Sequence, residues 1–215
     1  MGAWYYAYLF PGRERPLDAA AFVSSLVRDG FEVSNGAIEL IPIDQEGHLG
    51  EFGDEIQLRE PVADDLQARL RSGEQLFVEI QRVDRASDGV DTVTTFACGF
   101  ELHTRNPHIS FGWHRRLFLG LPRRTQQRYW QSIRDAARAA NAVYIVLKVE
   151  GVSNLEDRFI EIDGRRVLDT HCDHQWGHGI WAVWVDTSQG GECPVGVSDV
   201  VTADFGDGFV QYSVE

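Results

Sequence analysis

Four Asp-Gly pairs and one Asn-Gly pair punctuate the chain, most of them between short runs rich in β-branched and aromatic residues. Such a pair supplies the positive φ that a two-residue hairpin turn demands, so strand-like runs on either side of one argue for antiparallel neighbours. Asn35-Gly36 separates residues 31–34 from 37–43, and Asp88-Gly89 separates 76–83 from 90–103. Asp163-Gly164 and Asp207-Gly208 repeat the arrangement. Asp29-Gly30 instead follows an amphipathic stretch and reads as a helix end, since glycine takes the left-handed C′ conformation without a Cβ clash.

Three helices are predicted. The first covers about residues 17–29, with Ala21, Phe22, Leu26 and Val27 on one face. A second opens at Pro61, keeps Val62, Leu66 and Leu70 in register, carries Asp64 and Asp65 early and Arg69 and Arg71 late, and stops at Gly73. The third, about residues 125–141, turns Trp130, Ile133, Ala137 and Ala140 inward. Its pairs Arg124/Arg128 and Arg134/Arg138 fall at i,i+4 on polar positions, so its exposed face should be basic.

Strands account for most of the rest. Phe96, Cys98, Phe100 and Leu102 alternate with small or polar residues, the period-two pattern of a half-buried strand, which places Cys98 in the core. After a turn at residues 104–107, Ile109, Phe111 and Trp113 share one face and His108, Ser110 and Gly112 the other, so these two runs should pair. Residues 142–149 and 180–185 are near-continuous apolar runs, as in central strands covered on both faces. No internal repeat, low-complexity tract or linker interrupts the chain. The expected fold is a single α+β domain over residues 1–215, a mainly antiparallel, meandering sheet with about three helices packed on it.

With 215 residues, 43% of them apolar, the chain can build an ordinary core. It has no apolar window of membrane-spanning length and no basic leader at its start, so a cytoplasmic protein without a membrane partner is expected. Three cysteines, Cys98, Cys172 and Cys193, are an odd count at irregular spacing and read as free thiols.

Charge is segregated. From Arg105 to Lys148 nine bases stand against one acid, Asp135; residues 1–104 carry 19 acids and eight bases, and residues 149–215 carry 13 acids and three bases, for a net charge of −13. The acids of residues 44–55 (Asp44, Glu46, Glu51, Asp54 and Glu55) have no basic residue among them and form an exposed, flexible loop in this reading. Arg123 and Arg124 sit at the start of the third helix, where the macrodipole disfavours cations, so either an internal carboxylate or an external anion should offset them. Nucleic acid is an unfavourable partner for so acidic a molecule.

Histidines supply the remaining chemistry. His171, Cys172, Asp173, His174 and His178 offer zinc-type donors, yet the spacing matches no helical or Cys-x-x-Cys site, so a polar loop is preferred over a metal centre and no cofactor is expected. His108 and His114 lie too far apart along one strand to share an ion and read as a solvated rim. Asp204-Phe205-Gly206 reads as a turn, and the nucleophile-elbow, phosphate-loop and dinucleotide signatures are absent.

These features point to an acidic binding protein, of the kind bacteria use as immunity proteins, that neutralises a basic toxin domain by protein–protein contact. Asp44, Glu46, Glu51, Asp54 and Glu55 would make the contact, with Asp64 and Asp65 beside them. The alternative is a hydrolase or transferase for a small anionic substrate, with Arg115, Arg123 and Arg124 binding the anion, His108 or His174 moving protons, and metal assistance from His171, His174 and His178.

Overall fold

The computed structural model describes residues 4–41, 53, 55–84, 92–104, 107–150, 160–162, 165–167 and 178–213. In chain order the elements are β1 (Trp4–Pro11), α1 (Ala19–Arg28), β2 (Phe31–Leu40), β3 (Glu55–Gln57), α2 (Val62–Arg71), β4 (Leu76–Asp84), β5 (Thr92–Glu101), β6 (His108–His114), α3 (Arg115–Gly120), α4 (Arg123–Ala139), β7 (Ala142–Glu150), β8 (Ile160–Ile162), β9 (Arg165–Val167), β10 (His178–Asp186), β11 (Val201–Asp204) and β12 (Phe209–Ser213). A single 310 turn, Thr187–Gln189, follows β10. The fold is α+β: a 10-stranded antiparallel sheet in the order β11-β12-β10-β7-β1-β6-β5-β4-β2-β3, with β8 and β9 forming a separate two-stranded ribbon.

Helices occupy one face of the sheet. Strand residues Leu9, Ile38, Leu76, Val78, Phe96, Phe100, Phe111, Trp113, Ile145 and Leu147 join helix residues Phe22, Leu26, Leu66, Leu70, Tyr129 and Ile133 in one buried cluster. Aromatic rings dominate its centre: Phe96 lies 4.8 Å from Phe111, 5.2 Å from Tyr129 and 5.5 Å from Phe31 between ring centroids, within the range of favourable offset and edge contacts. A smaller cluster, with Phe10, Val143, Val146, Ile162, Val183 and Val185 among its members, covers the opposite face over β7 and β10. Those two strands are therefore sandwiched, as their continuous apolar sequences require.

Most local expectations match the structure. The strands flanking Asp88-Gly89, Asp163-Gly164 and Asp207-Gly208 pair antiparallel as β4–β5, β8–β9 and β11–β12, the first two turns themselves lying outside the described residues. Gly30 and Gly73 end α1 and α2 with φ of 86° and 87°. Asp18, which the apolar periodicity does not reveal, caps α1 by accepting a 2.9 Å hydrogen bond from the Ala21 amide.

Three expectations fail for identifiable reasons. Asn35-Gly36 makes no hairpin: β2 pairs with β4 both before it, at Val33–Ile80, and after it, at Ile38–Val78, so the surplus residues form a bulge within one strand. The Asn35 carboxamide accepts from the Ala37 amide and Gly36 takes φ 67°, a local turn inserted into a strand that keeps its direction. On α1, Val23 is buried where Val27 was expected, and Val27 is 38% exposed because it lies in the last turn, one residue before the helix ends at Arg28.

The third failure concerns the basic face of α4. Arg124 and Arg128 are exposed, but Arg134 is 6% exposed and Arg138 is only partly so. Arg134 Nε lies 2.7 Å from Asp207 Oδ2 and Arg138 Nε lies 3.0 Å from the fully buried Asp186. The second half of α4 thus lies against the end of β10 and the β11–β12 turn, which carry Asp186 and Asp207, and positions that look polar in sequence are covered by matching carboxylates. Two of the arginines that gave the middle of the chain its surplus are structural ties.

Candidate functional site

Register places alternate residues of six strands on the face opposite the helices. Tyr6 of β1 sits opposite Gly112 of β6, Gly112 opposite Ala97 of β5, and Ala97 opposite Glu79 of β4. The next row reads Tyr8, Ser110, Gly99, Phe77, then Glu39 of β2 and Glu55 of β3. On the other side of the first row, Trp4 is opposite His114, and Thr95, Gln81 and Glu32 continue across the neighbouring strands. Across these rows the small residues Ala97, Gly99, Ser110 and Gly112 of β5 and β6 separate an aromatic bank, the row of β1, from an acidic bank of carboxylates on β2 to β4.

The glycines are necessary to this shape. A Cβ at Gly112 would come within 2.6 Å of the Tyr6 ring, and one at Gly99 within 2.6 Å of Ser110 Oγ. Their absence lets Tyr6 lie over β6. Trp4 and Tyr6 are near-parallel with centroids 6.4 Å apart, as are Tyr6 and Tyr8 at 5.8 Å, and all three are half-exposed. Lys148, buried on the neighbouring β7, brings its ammonium 5.8 Å from the Tyr8 ring.

The acidic bank is solvent-facing. Glu32, Glu55 and Glu79 are exposed and Glu39 is half-buried; among the described residues none of the four is ion-paired with a base. Gln81 donates to Glu32 at 2.9 Å and Gln57 donates to Glu55 at 2.9 Å, contacts that orient the carboxylates without neutralising them. Among the described residues, the positions of β2 to β6 on this face contain no lysine or arginine.

Of the sequence-derived contact residues, Glu55 stands on this face, at the sheet edge. Asp44, Glu46, Glu51 and Asp54 belong to the connection between β2 and β3 and lie outside the described residues. Asp64 is exposed on α2. Asp65 is engaged internally: the Arg59 amide first, and the Arg69 guanidinium, hold its carboxyl below the ordinary carboxylate range.

The described anion-binding candidates do not converge with His108, and two of the three metal candidates lie outside the described residues. Arg123 and Arg124 are exposed at the start of α4, and among the described residues neither has a carboxylate partner. Arg115 opens α3 directly after β6, whereas His108 opens β6, so about 20 Å of extended strand separates them. His108 is also no solvated rim residue: it is 8% exposed, 3.5 Å from Glu101, and flanked by Tyr8 and Phe10. His178 begins β10, and His171 and His174 lie outside the described residues. Among the described residues no group of three or more potential ligands could hold a metal ion, and no helix is long and apolar enough to cross a membrane. A separate cleft of about 520 Å³ lies between Gly12–Arg15, Tyr144 and Gln189–Glu192, and its described lining holds no histidine or cysteine to do chemistry.

No family model, no curated protein and no solved structure matches this chain. Function therefore rests on the site.

Sequence reading missed the aromatic bank. The signal was present in the alternation of Trp4, Tyr6, Tyr8 and Phe10 with Tyr5, Ala7 and Leu9. What no local pattern contained was that β6, over a hundred residues away, supplies glycine beneath them.

Proposed function

We propose that this chain is a binding protein that neutralises a basic protein partner, such as a bacterial toxin domain, through the helix-free face of its sheet. The observation that carries this reading is the concentration of uncompensated carboxylates Glu32, Glu39, Glu55 and Glu79 beside a row of half-exposed aromatics. Interfaces are built this way, with tyrosine and tryptophan as anchors and charge around them that steers the partner and selects its sign. The acidic connection bearing Asp44, Glu46, Glu51 and Asp54 departs from and returns to the same sheet edge, which adds to the field a cationic partner would feel. Rigid strands carry the site, so little ordering cost falls on this side of the complex.

Affinity capture in the native host with the wild-type chain and with a Glu32→Lys/Glu79→Lys variant tests the reading. The wild type should retain a basic protein in a salt-sensitive manner, the variant should lose it, and co-expression of the wild type alone should relieve that protein's toxicity. Retention of the same partners by both chains, or a captured partner that is acidic, would overturn it.

A further inference from the structure

We infer that the cleft at the start of β7 is a second binding site, for a short peptide whose free carboxylate and free ammonium are held on opposite walls. The site is apart from the face of β1 to β6, and its volume of about 520 Å³ falls in the range of small-molecule sites. In the sheet order β10-β7-β1, the cleft opens where β1 and β10 end and β7, between them, begins. One wall is therefore the segment leaving β1, with Arg13, Glu14 and Arg15, and the other is the segment leaving β10, with Gln189 and Glu192.

Both walls are seated on Val143, the buried floor. A Cβ at Gly12 would come within 2.8 Å of Val143 Cγ2 and one at Gly191 within 2.7 Å of Val143 Cγ1, so each backbone packs on one methyl of the same side chain. Hydrogen bonds pin the walls further. Asn141 Nδ2 donates to the Pro16 carbonyl at 3.3 Å, Gln189 Nε2 to Asp186 Oδ2 at 3.0 Å, and the Glu192 amide to the Tyr144 hydroxyl at 3.4 Å. A ligand thus meets walls that are already placed.

Charge then selects the ligand. The first wall, with two arginines and one glutamate, is net positive, and the second carries the carboxylate of Glu192. Glu14, Arg15 and Glu192 are exposed, and among the described residues none of the three has an ion-pair partner, although opposite signs line one cleft. Arginine pairs bidentately with a carboxylate, and a glutamate accepts from an ammonium. A ligand with charge of one sign would leave one wall unanswered. Two strand spacings, about 10 Å, separate the walls, and an extended peptide advances about 3.4 Å per residue. Two or three residues bridge that span, whereas a single α-amino acid carries both charges on one carbon.

The experiment is isothermal titration calorimetry of the full chain at low salt with trialanine, N-acetyl-trialanine, trialanine amide and free alanine. Expected is binding of trialanine about tenfold tighter than either blocked form, because each block removes one charge-assisted contact, with alanine weaker still. Arg15→Gln should bring trialanine down to the level of its amide, and Glu192→Gln down to the level of its N-acetyl form. Both side chains are exposed, so the variants should melt with the wild type. Equal binding of the three tripeptides, a preference for trialanine surviving both variants, tighter binding of alanine, or no heat from trialanine at millimolar concentration each overturns the inference.

Discussion

Asp186 is the carboxylate on which the C-terminal third of the molecule is hung, and its replacement by alanine should be costly. It is 0% exposed; one oxygen accepts from Arg138 Nε and Gln189 Nε2, each at 3.0 Å, and the other from the Ser188 amide at 3.1 Å and the Ser188 hydroxyl. A hydrogen bond to a charged acceptor contributes about 1.5–3 kcal/mol, which taken singly would give well over 6 kcal/mol. The donors, however, are not trapped: the Arg138 side chain is 33% exposed and Ser188 is exposed, so water can re-solvate them once the carboxylate is gone. The expected loss is therefore about 3 kcal/mol, the lower end of the range for breaking a buried ion pair. Asp186→Asn should cost nearly as much, because its amide nitrogen faces donors.

Urea unfolding followed by tryptophan fluorescence reads this as a fall in midpoint at constant slope, with a melting temperature lower by about 6–12 °C for a chain of this size. A double-mutant cycle with Arg138→Ala should give a coupling of about 2 kcal/mol. Partner binding below the melting temperature should be unchanged, since the proposed binding face lies on β1 to β6. A loss under about 1 kcal/mol, or additive single effects, would refute the view that this pair ties α4 to β10 and β12.

Truncating the ring at the centre of the core, Phe96→Ala, should cost about 3–5 kcal/mol by urea unfolding, because its neighbours Phe31, Phe111, Trp113 and Tyr129 cannot collapse into the space from four directions. Burial opposes ionisation of Asp207, but the Arg134 guanidinium and the Phe209 amide outweigh it and hold the carboxyl below its ordinary value. Its folded pKa being depressed, that contribution is present above about pH 4 and is lost as pH falls through the lower folded value; Asp207→Asn should flatten acid denaturation curves there. Tyr129 titrates the other way, pushed up to about 12 by burial and by its hydrogen bond to Asp84. Stability should fall as pH rises from about 10 to about 12, by at most about 1.4 kcal/mol per unit, and Tyr129→Phe should remove that slope. Gly112→Val should cost about 1–3 kcal/mol in stability by displacing Tyr6, and should weaken partner binding by more than its melting shift accounts for.

Hairpins, caps and alternating strands were legible because each is decided within a few residues: Gly73 ends a helix and Phe96, Cys98 and Phe100 mark a buried face whatever the rest of the chain does. The Asn35-Gly36 pair deceived because a turn signal specifies local φ, while β4 alongside decides whether the strand reverses. Arg134 and Arg138 resembled a solvated face because their carboxylates, Asp207 and Asp186, arrive from 73 and 48 residues away. The proposed binding face is of the same kind. No local pattern singles out its acids Glu32, Glu39 and Glu79, which only strand order brings to one face, and the short α3 went unpredicted.

Strand β1 precedes both of its sheet neighbours in the chain by about a hundred residues or more. Its two neighbours, β6 and β7, are complete only at residues 114 and 150, so until residue 114 is made residues 4–11 expose both rows of amides and carbonyls along with Trp4, Tyr5, Tyr6 and Tyr8. A nascent chain in that condition is a template for pairing with other chains, and its closure requires long-range contacts that form slowly. The aromatic bank is thus also the region a chaperone must shield, and the binding surface comes into being only when the keystone strand locks the two halves of the sheet together.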